Sequence, residues 1–224
     1  MKTICVIPAR MGSSRFPGKP IEKILGLELV LHVYNRCRLA GGLDRIVVAT
    51  CDEEIQDVCE GHGVEVVMTS DVHPGCVDRT EEAIDKVGGD LANDDLVLMV
   101  QGDEIMIAPG MIENILKAYA ESKAPVVNLA SPIMLTSDHD DPNVVKVVTA
   151  LDGRALFFSR TPIPSPSRAS DRAVPMLQQT GVIGFSKEFL HTFGKLTRSP
   201  LEEIECIDML RTLEHNYPIQ IVTT

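Results

Sequence analysis

Arg10, Arg15 and Lys19 lie within "IPARMGSSRFPGKP", residues 7–20, together with Ser13, Ser14, Gly12 and Gly18 and without one acidic residue. The chain as a whole carries a formal net charge of −11, so this concentration of cations runs against its background. Glycines let the main chain wrap closely around a ligand, hydroxyls donate hydrogen bonds, and guanidinium and ammonium groups supply charge. Such a set suits a polyphosphate. The spacing is neither GxGxxG nor GxxxxGK[ST], because the glycines stand at positions 12 and 18 and Lys19 is followed by Pro20. A dehydrogenase that cradles a dinucleotide is disfavoured on the same ground.

A second group stands in "LVLMVQGDE", where an apolar run ends in Gln101, Gly102, Asp103 and Glu104. Mg²⁺ commonly takes one or two protein carboxylates and completes its shell with phosphate oxygens and water. Asp103 opposite Arg10 and Lys19 would form a metal–triphosphate site. A Gly-Asp pair alone merely turns a chain at a strand end. The expectation therefore rests on the two features together.

These groups need elements to position them. The runs "TICVI" (3–7), "RIVVAT" (45–50), "VEVVMT" (64–69), "LVLMV" (96–100) and "APVVNLA" (124–130) have the β-branched character of buried strands. Amphipathic stretches at 29–39, 53–61, 80–87 and 109–121 alternate with them, Pro109 suiting a first helical turn. This alternation predicts an α/β fold, a mostly parallel sheet flanked by helices on both faces. In such sheets the loops at the carboxyl ends of strands form the ligand crevice, which is where both groups fall.

Beyond residue 140 the pattern changes. "VVKVVTALDGRALFFSR" predicts a hairpin turning at Asp152-Gly153, and "TPIPSPSRASDRAVP" an irregular loop. A strand near 179–185, a helix near 202–215 and a last strand, "IQIVTT", follow. We expect one domain over 1–224 with a small β-rich excursion at about 134–176, which reads as a lid, a dimer contact or a plain surface insertion.

Composition sets limits. With 24% charged and 44% hydrophobic residues the chain reads as an ordinary soluble protein. An acidic balance argues against general binding to nucleic acid or a membrane surface. No apolar run reaches the length of a membrane span, and the start lacks a secretory signal pattern. Six scattered cysteines without a CxxC pair predict structural thiols of a reducing cytoplasm, with no zinc site. The histidines show no ligand pattern; His73 alone falls near the expected site.

The motifs "IPARMGSSRFPGKP", "VQGDE", "DPNVVKVV", "FFSRTPIP" and "SPLEEIE" resemble, in order and spacing, those of the 3-deoxy-manno-octulosonate (Kdo) cytidylyltransferases, also called CMP-Kdo synthetases. The resemblance runs over essentially the whole chain. It implies a homodimeric α/β nucleotidyltransferase that couples CTP to a small sugar acid with Mg²⁺ and releases pyrophosphate. By this resemblance Arg10, Ser13 and Lys19 hold the triphosphate with Arg15 near it. Pro8, Ala9 and Gln101 lie near the nucleoside, and Asp103 ligates the metal. Arg10, Lys19 and Asp103 are then the residues that carry catalysis. Arg79 and Arg160 match arginines that face the acceptor or the phosphates, and Gln179 and Asp208 fall at acceptor positions.

Departures from the family pattern concentrate on the acceptor side. Its "SGTER" reads Gly75-Cys76-Val77-Asp78-Arg79 here, and Gln179, Ile183 and Met209 replace a histidine, a tyrosine and a glutamine. Losing hydrogen-bonding partners changes which acceptor fits. Another ulosonic acid or a phosphonate acid is the alternative substrate. The family continues into a "GVDTPED" segment whose first aspartate is a second metal ligand, whereas this sequence ends at "IVTT". A non-catalytic nucleotide-binding homologue is the alternative class.

Overall fold

Short aliphatic runs covered on both faces become parallel strands. A computed structural model of the chain, describing residues 1–12, 16–122, 124–168 and 174–224, follows that rule. Strands β1 (Thr3–Pro8), β4 (Arg45–Thr50), β5 (Val66–Met68) and β6 (Leu96–Val100) form its first half, with a two-stranded hairpin of β2 (Lys23–Ile24) and β3 (Leu27–Glu28) beside them. The second half contributes β7 (Val126–Pro132), β8 (Lys146–Thr149), β9 (Ala155–Ser159), β10 (Leu177–Ser186) and β11 (Ile219–Thr223).

Among the described residues the main sheet runs β11-β7-β10-β6-β1-β4-β5. The β1–β4, β1–β6, β4–β5 and β7–β11 pairs are parallel, and β10 runs antiparallel between β6 and β7. The mostly parallel α/β architecture is therefore as expected. The β8–β9 hairpin attaches to the start of β10 through Leu177–Val147 and Gln178–Lys146, so the excursion is hydrogen-bonded to the main sheet.

Alternation along each strand divides the core. Ile4 and Val6 of β1, with Val97 and Met99 of β6, meet helices α3 (Cys76–Val87), α6 (Lys187–Phe193) and α8 (Asp208–Glu214) on one face. Cys5, Ile7, Leu98 and Val100 meet α1 (Leu29–Arg38), α2 (Glu53–Gly61) and α4 (Pro109–Ser122) on the other. Two shorter helices, α5 (Thr136–Asp140) and α7 (Pro200–Glu205), complete the set. Burying one such valine or leucine contributes about 1.5–3 kcal/mol.

Three boundaries differ from expectation. Helix α3 starts at Cys76 and not at Thr80, its N-terminal Gly75 packed closely against the Asp208 carboxyl from far along the chain. The helix expected near 202–215 is two helices, broken where Cys206 takes a left-handed φ of 52°. Strand β5 is shorter than "VEVVMT". Of the cysteines, Cys5, Cys37 and Cys59 are buried, whereas Cys206 is exposed.

Candidate active site

The rim at the carboxyl ends of β1 and β6 is held by main-chain bonds between its two loops. Gly102 N–H donates to the Pro8 carbonyl at 3.1 Å, and a β-carbon at Gly102 would stand 3.0 Å from that oxygen and 3.2 Å from Ala9 Cβ. Only glycine lets these loops approach so closely. The first loop is anchored outward by Met11 N–H to Asp52 Oδ2 at 2.7 Å. It returns through Gly18, whose φ of 78° suits glycine. Ser13 and Arg15 lie outside the described residues.

Above this rim opens a cleft of about 780 Å³. Arg10, Lys19, Gln101, Asp103, Arg160, Gln179 and Asp208 all line it. Residues separated by most of the chain thus meet around one space. Lys19 Nζ donates to Asp103 Oδ2 at 2.7 Å, and both side chains keep access to the cleft. Glu104, quoted in its motif but assigned no role from sequence, also faces the cleft and accepts the Gly181 N–H. Burial, with Asp103 close by, pushes the Glu104 carboxyl upward.

Opposite lies the wall formed by β10 and α8. Gln179 donates to Asn128 Oδ1 at 2.7 Å. Gly181 returns the main chain to the rim, its carbonyl accepting the Gln101 N–H at 2.8 Å. Asp208 packs against Gly75, where a β-carbon would stand 2.6 Å from its Oδ2. Burial, and then the nearby Asp78 and Glu202 carboxylates, push the Asp208 carboxyl up to about 6. Arg211 answers those two carboxylates, bonding Glu202 at 2.6 and 2.8 Å and Asp78 at 3.1 Å. Ile183, Met209 and Met99 form an apolar floor, Ile183 and Met99 being cross-strand neighbours. The floor places both apolar departures from the family pattern inside the cleft.

The two arginines of the acceptor motifs sit differently from one another. Arg160 lines the cleft, but Nε, Nη1 and Nη2 donate to the carbonyls of Glu205, Pro142 and Cys206 respectively. It is first of all a clamp between segments. Arg79 is buried and does not line the large cleft; it lines a small pocket of about 90 Å³ with Pro8, Ala9, Arg10 and His73. Its Nη1 donates to the Thr69 hydroxyl and to the Ser70 carbonyl, while Nη2 is sealed from solvent without a partner. His73, noted from sequence only for its place, borders this pocket and bonds Glu82.

Cys76 and Cys206 also border the large cleft, which the scattered-cysteine pattern did not reveal. Burial, and then Asp208, push the Cys76 thiol up to about 12, so it is an inert packing group at neutral pH. Among the described residues the one cluster of three potential metal-binding side chains is Glu81, Asp85 and His191, none of which lines this cleft.

A crevice at the ends of parallel strands, with a cationic glycine-containing loop facing a carboxylate, defines an α/β transferase that handles an activated phosphate compound. The chain belongs to the cytidylyltransferase family, whose profile, described as "Cytidylyltransferase", matches residues 4–219. It is 42% identical over 232 residues to a 3-deoxy-manno-octulosonate cytidylyltransferase of Syntrophotalea carbinolica, covering 100% of this chain and 91% of that protein. It is 41% identical to an 8-amino-3,8-dideoxy-manno-octulosonate cytidylyltransferase of Shewanella sediminis, covering 99% of this chain and 89% of the relative. A solved CMP:2-keto-3-deoxy-manno-octonic acid synthetase complexed with CTP superposes with a TM-score of 0.90 at 32% identity, over 100% of this chain and 90% of that one. A cytidylyltransferase structure from Leptospira borgpetersenii, at 15% identity and TM-score 0.63, shares the fold.

Proposed function

We propose that this protein transfers a cytidylyl group from CTP to a 3-deoxy-manno-octulosonate-type sugar acid and releases pyrophosphate. One observation carries the reading: Arg10 and Lys19 of the first loop, Asp103 and the β10–α8 wall border a single cleft. The volume accommodates a nucleotide and a sugar acid side by side. Relatives named for Kdo and 8-amino-Kdo activation give the acceptor class.

The nucleoside belongs against Pro8, Ala9 and Gln101. Arg79 lines the small pocket with Pro8 and Ala9 and does not line the large cleft. We therefore assign Arg79 to the nucleoside and not to the sugar acid. Arg10 and Lys19 hold the triphosphate, with Ser13 and Arg15 of the same loop. The acceptor lies toward Gln179, Asp208 and the Arg160 side of the cleft.

Asp103 is a hard oxygen donor open to the cleft, which fits Mg²⁺ sharing phosphate oxygens. When bound, the ion neutralises charge on the triphosphate and the departing pyrophosphate. In the free protein Lys19 neutralises Asp103. On nucleotide binding the Lys19 ammonium turns to phosphate and frees the carboxylate. An acceptor hydroxyl oxygen then forms a bond to the α-phosphorus as the bond to the α,β-bridging oxygen breaks, pyrophosphate leaves with that oxygen, and the hydroxyl proton passes to water. Catalysis is mostly alignment and charge neutralisation, so no nucleophilic side chain is required.

We further propose a homodimer, favoured by exposed Met134, Leu135 and Leu156 on the excursion. A cytoplasmic location fits six free thiols and a CTP substrate. Among the described residues no helix is long and apolar enough to cross a membrane.

The test is pyrophosphate release with CTP and Mg²⁺ against Kdo, 8-amino-Kdo, other ulosonic acids and small phosphonates. Turnover with a Kdo-type acid is the expected result. Turnover with only another acid would transfer the assignment to that substrate and make Ile183 and Met209 its determinants. Nucleotide binding without turnover of any acid would leave a binding protein.

A further inference from the structure

Lys146 is among the largest fully buried side chains of the protein, at 0% exposure. It stands in β8, paired with Ser159 of β9 on one side and Gln178 of β10 on the other. Its ammonium does not face the cleft. Nζ donates to three main-chain carbonyls: Asp141 at 2.6 Å, Val144 at 2.7 Å and Arg160 at 2.7 Å. An ammonium has three N–H groups, so these bonds satisfy it completely. Burial lowers its pKa, while the Asp141, Asp140 and Glu205 carboxylates favour the charged form and Arg160 opposes it.

A buried ammonium costs several kcal/mol in lost hydration, and a methionine would fill similar space without that cost. What the ammonium supplies and methionine cannot is a fixed distance between carbonyls on separate segments. Those segments are the ones that carry the acceptor wall: Asn143, Val144 and Val145 follow the Asp141 carbonyl into the cleft, and Arg160 lines it just after β9. Arg160 repeats the device from the more open side, joining Pro142 to Glu205 and Cys206 just before Asp208. Gln179 N–H bonds the Val145 carbonyl at 2.8 Å, which ties the same wall to β10.

We infer that Lys146 is a positioning residue for the acceptor side of the cleft, its carbonyl cage together with the Arg160 clamp holding three separate segments at the spacing that an acidic acceptor requires. This rests on the acceptor side assigned under the proposed function. Two cations behind one wall also make its potential favourable to a carboxylate. The nucleotide side has no share in either clamp, since Pro8, Ala9, Arg10, Gln101 and Asp103 stand at the carboxyl ends of β1 and β6 and in the loops that follow them. Lys146 therefore separates the two substrates energetically.

The test compares wild type, Lys146→Met and Lys146→Arg in steady-state pyrophosphate release, varying CTP and the acid separately, with hydrogen exchange on the same preparations. Lys146→Met is expected to raise the acceptor KM at least tenfold and leave the CTP KM within threefold. Amide exchange should quicken in 143–145, 160–161 and 205–207 and stay unchanged in β1, β4 and β6. Lys146→Arg should not restore the acceptor KM, because a planar guanidinium cannot occupy a cage built for a compact ammonium. Full rescue by arginine would overturn the cage in favour of charge alone. Parallel losses for both substrates, with exchange quickened throughout, would overturn positioning in favour of a general structural role. If Lys146→Met is insoluble, Arg160→Met opens the same segments from the more open side and must give the same split. Wild-type protein that turns over no acid would fail the functional assignment, while the exchange pattern would still decide the clamp.

Discussion

Gly181→Ala tests the site through a contact that the fold makes unusually tight. An ideal β-carbon at this position would stand 2.6 Å from Gln101 Oε1 and 2.7 Å from its Cδ and Cγ. Ordinary contact between carbon atoms is roughly 3.5–4.0 Å, so the whole Gln101 side chain must swing about 1 Å or more off the nucleoside wall. Gly181 does not sit in the left-handed region, so alanine meets no backbone strain there. The main-chain bonds to Gln101 and Glu104 persist. Crowding should then cost about 1 kcal/mol of stability, roughly 2–4 °C in Tm for a chain of this size. Losing the Gln101 contact removes about 0.5–1.5 kcal/mol of ligand interaction, up to about tenfold in kcat/KM for CTP. The assay is a double-mutant cycle with Gln101→Ala, read by pyrophosphate release. If the two changes act through one contact, Gln101→Ala costs almost nothing further in the alanine background. Wild-type kcat/KM in Gly181→Ala, or full additivity of the two losses, would refute the reasoning.

Other predictions follow from the same geometry. Asp103→Asn breaks an exposed pair with Lys19 and should change stability by less than about 1 kcal/mol, yet lower Mg²⁺-supported turnover by about 100-fold or more; thermal melts and rates on one preparation separate the two effects, and near-normal turnover would remove Asp103 from the metal site. Asp208, with a folded pKa near 6 against 3.8 unfolded, binds more protons in the native state. Stability from this group is therefore full below about pH 4 and falls as pH rises through 6, by on the order of 3 kcal/mol. Denaturant titrations of Asp208→Asn should show a gain over wild type that grows across that window, and a constant difference would count against the shift. In the β2–β3 turn, Leu25 and Gly26 both have positive φ, 52° and 88°, and Leu25 is 98% exposed. Leu25→Asn should raise stability by on the order of 1 kcal/mol, because asparagine tolerates that conformation and no buried contact is lost; an unchanged or lower Tm would contradict this.

Much of the site was legible because it is encoded locally. Aliphatic runs such as Ile4 to Ile7 and Leu96 to Val100 carry their own strand preference, and the residues just after them must fall at the carboxyl rim. The cations of the first loop and Asp103 could therefore be placed in one crevice from sequence alone. Residues whose meaning depends on remote main chain could not be placed in this way. The start of α3 packs against Asp208, which is remote in sequence, and the left-handed Cys206 divides a helix that periodicity reads as continuous. Arg160 and Lys146 look alike in sequence as cations near a hairpin. Only the tertiary structure gives each its carbonyls, and it also sends Arg79 to the small pocket beside Pro8 and Ala9. A sequence specifies how many hydrogen bonds a side chain can donate; folding decides which distant oxygens receive them.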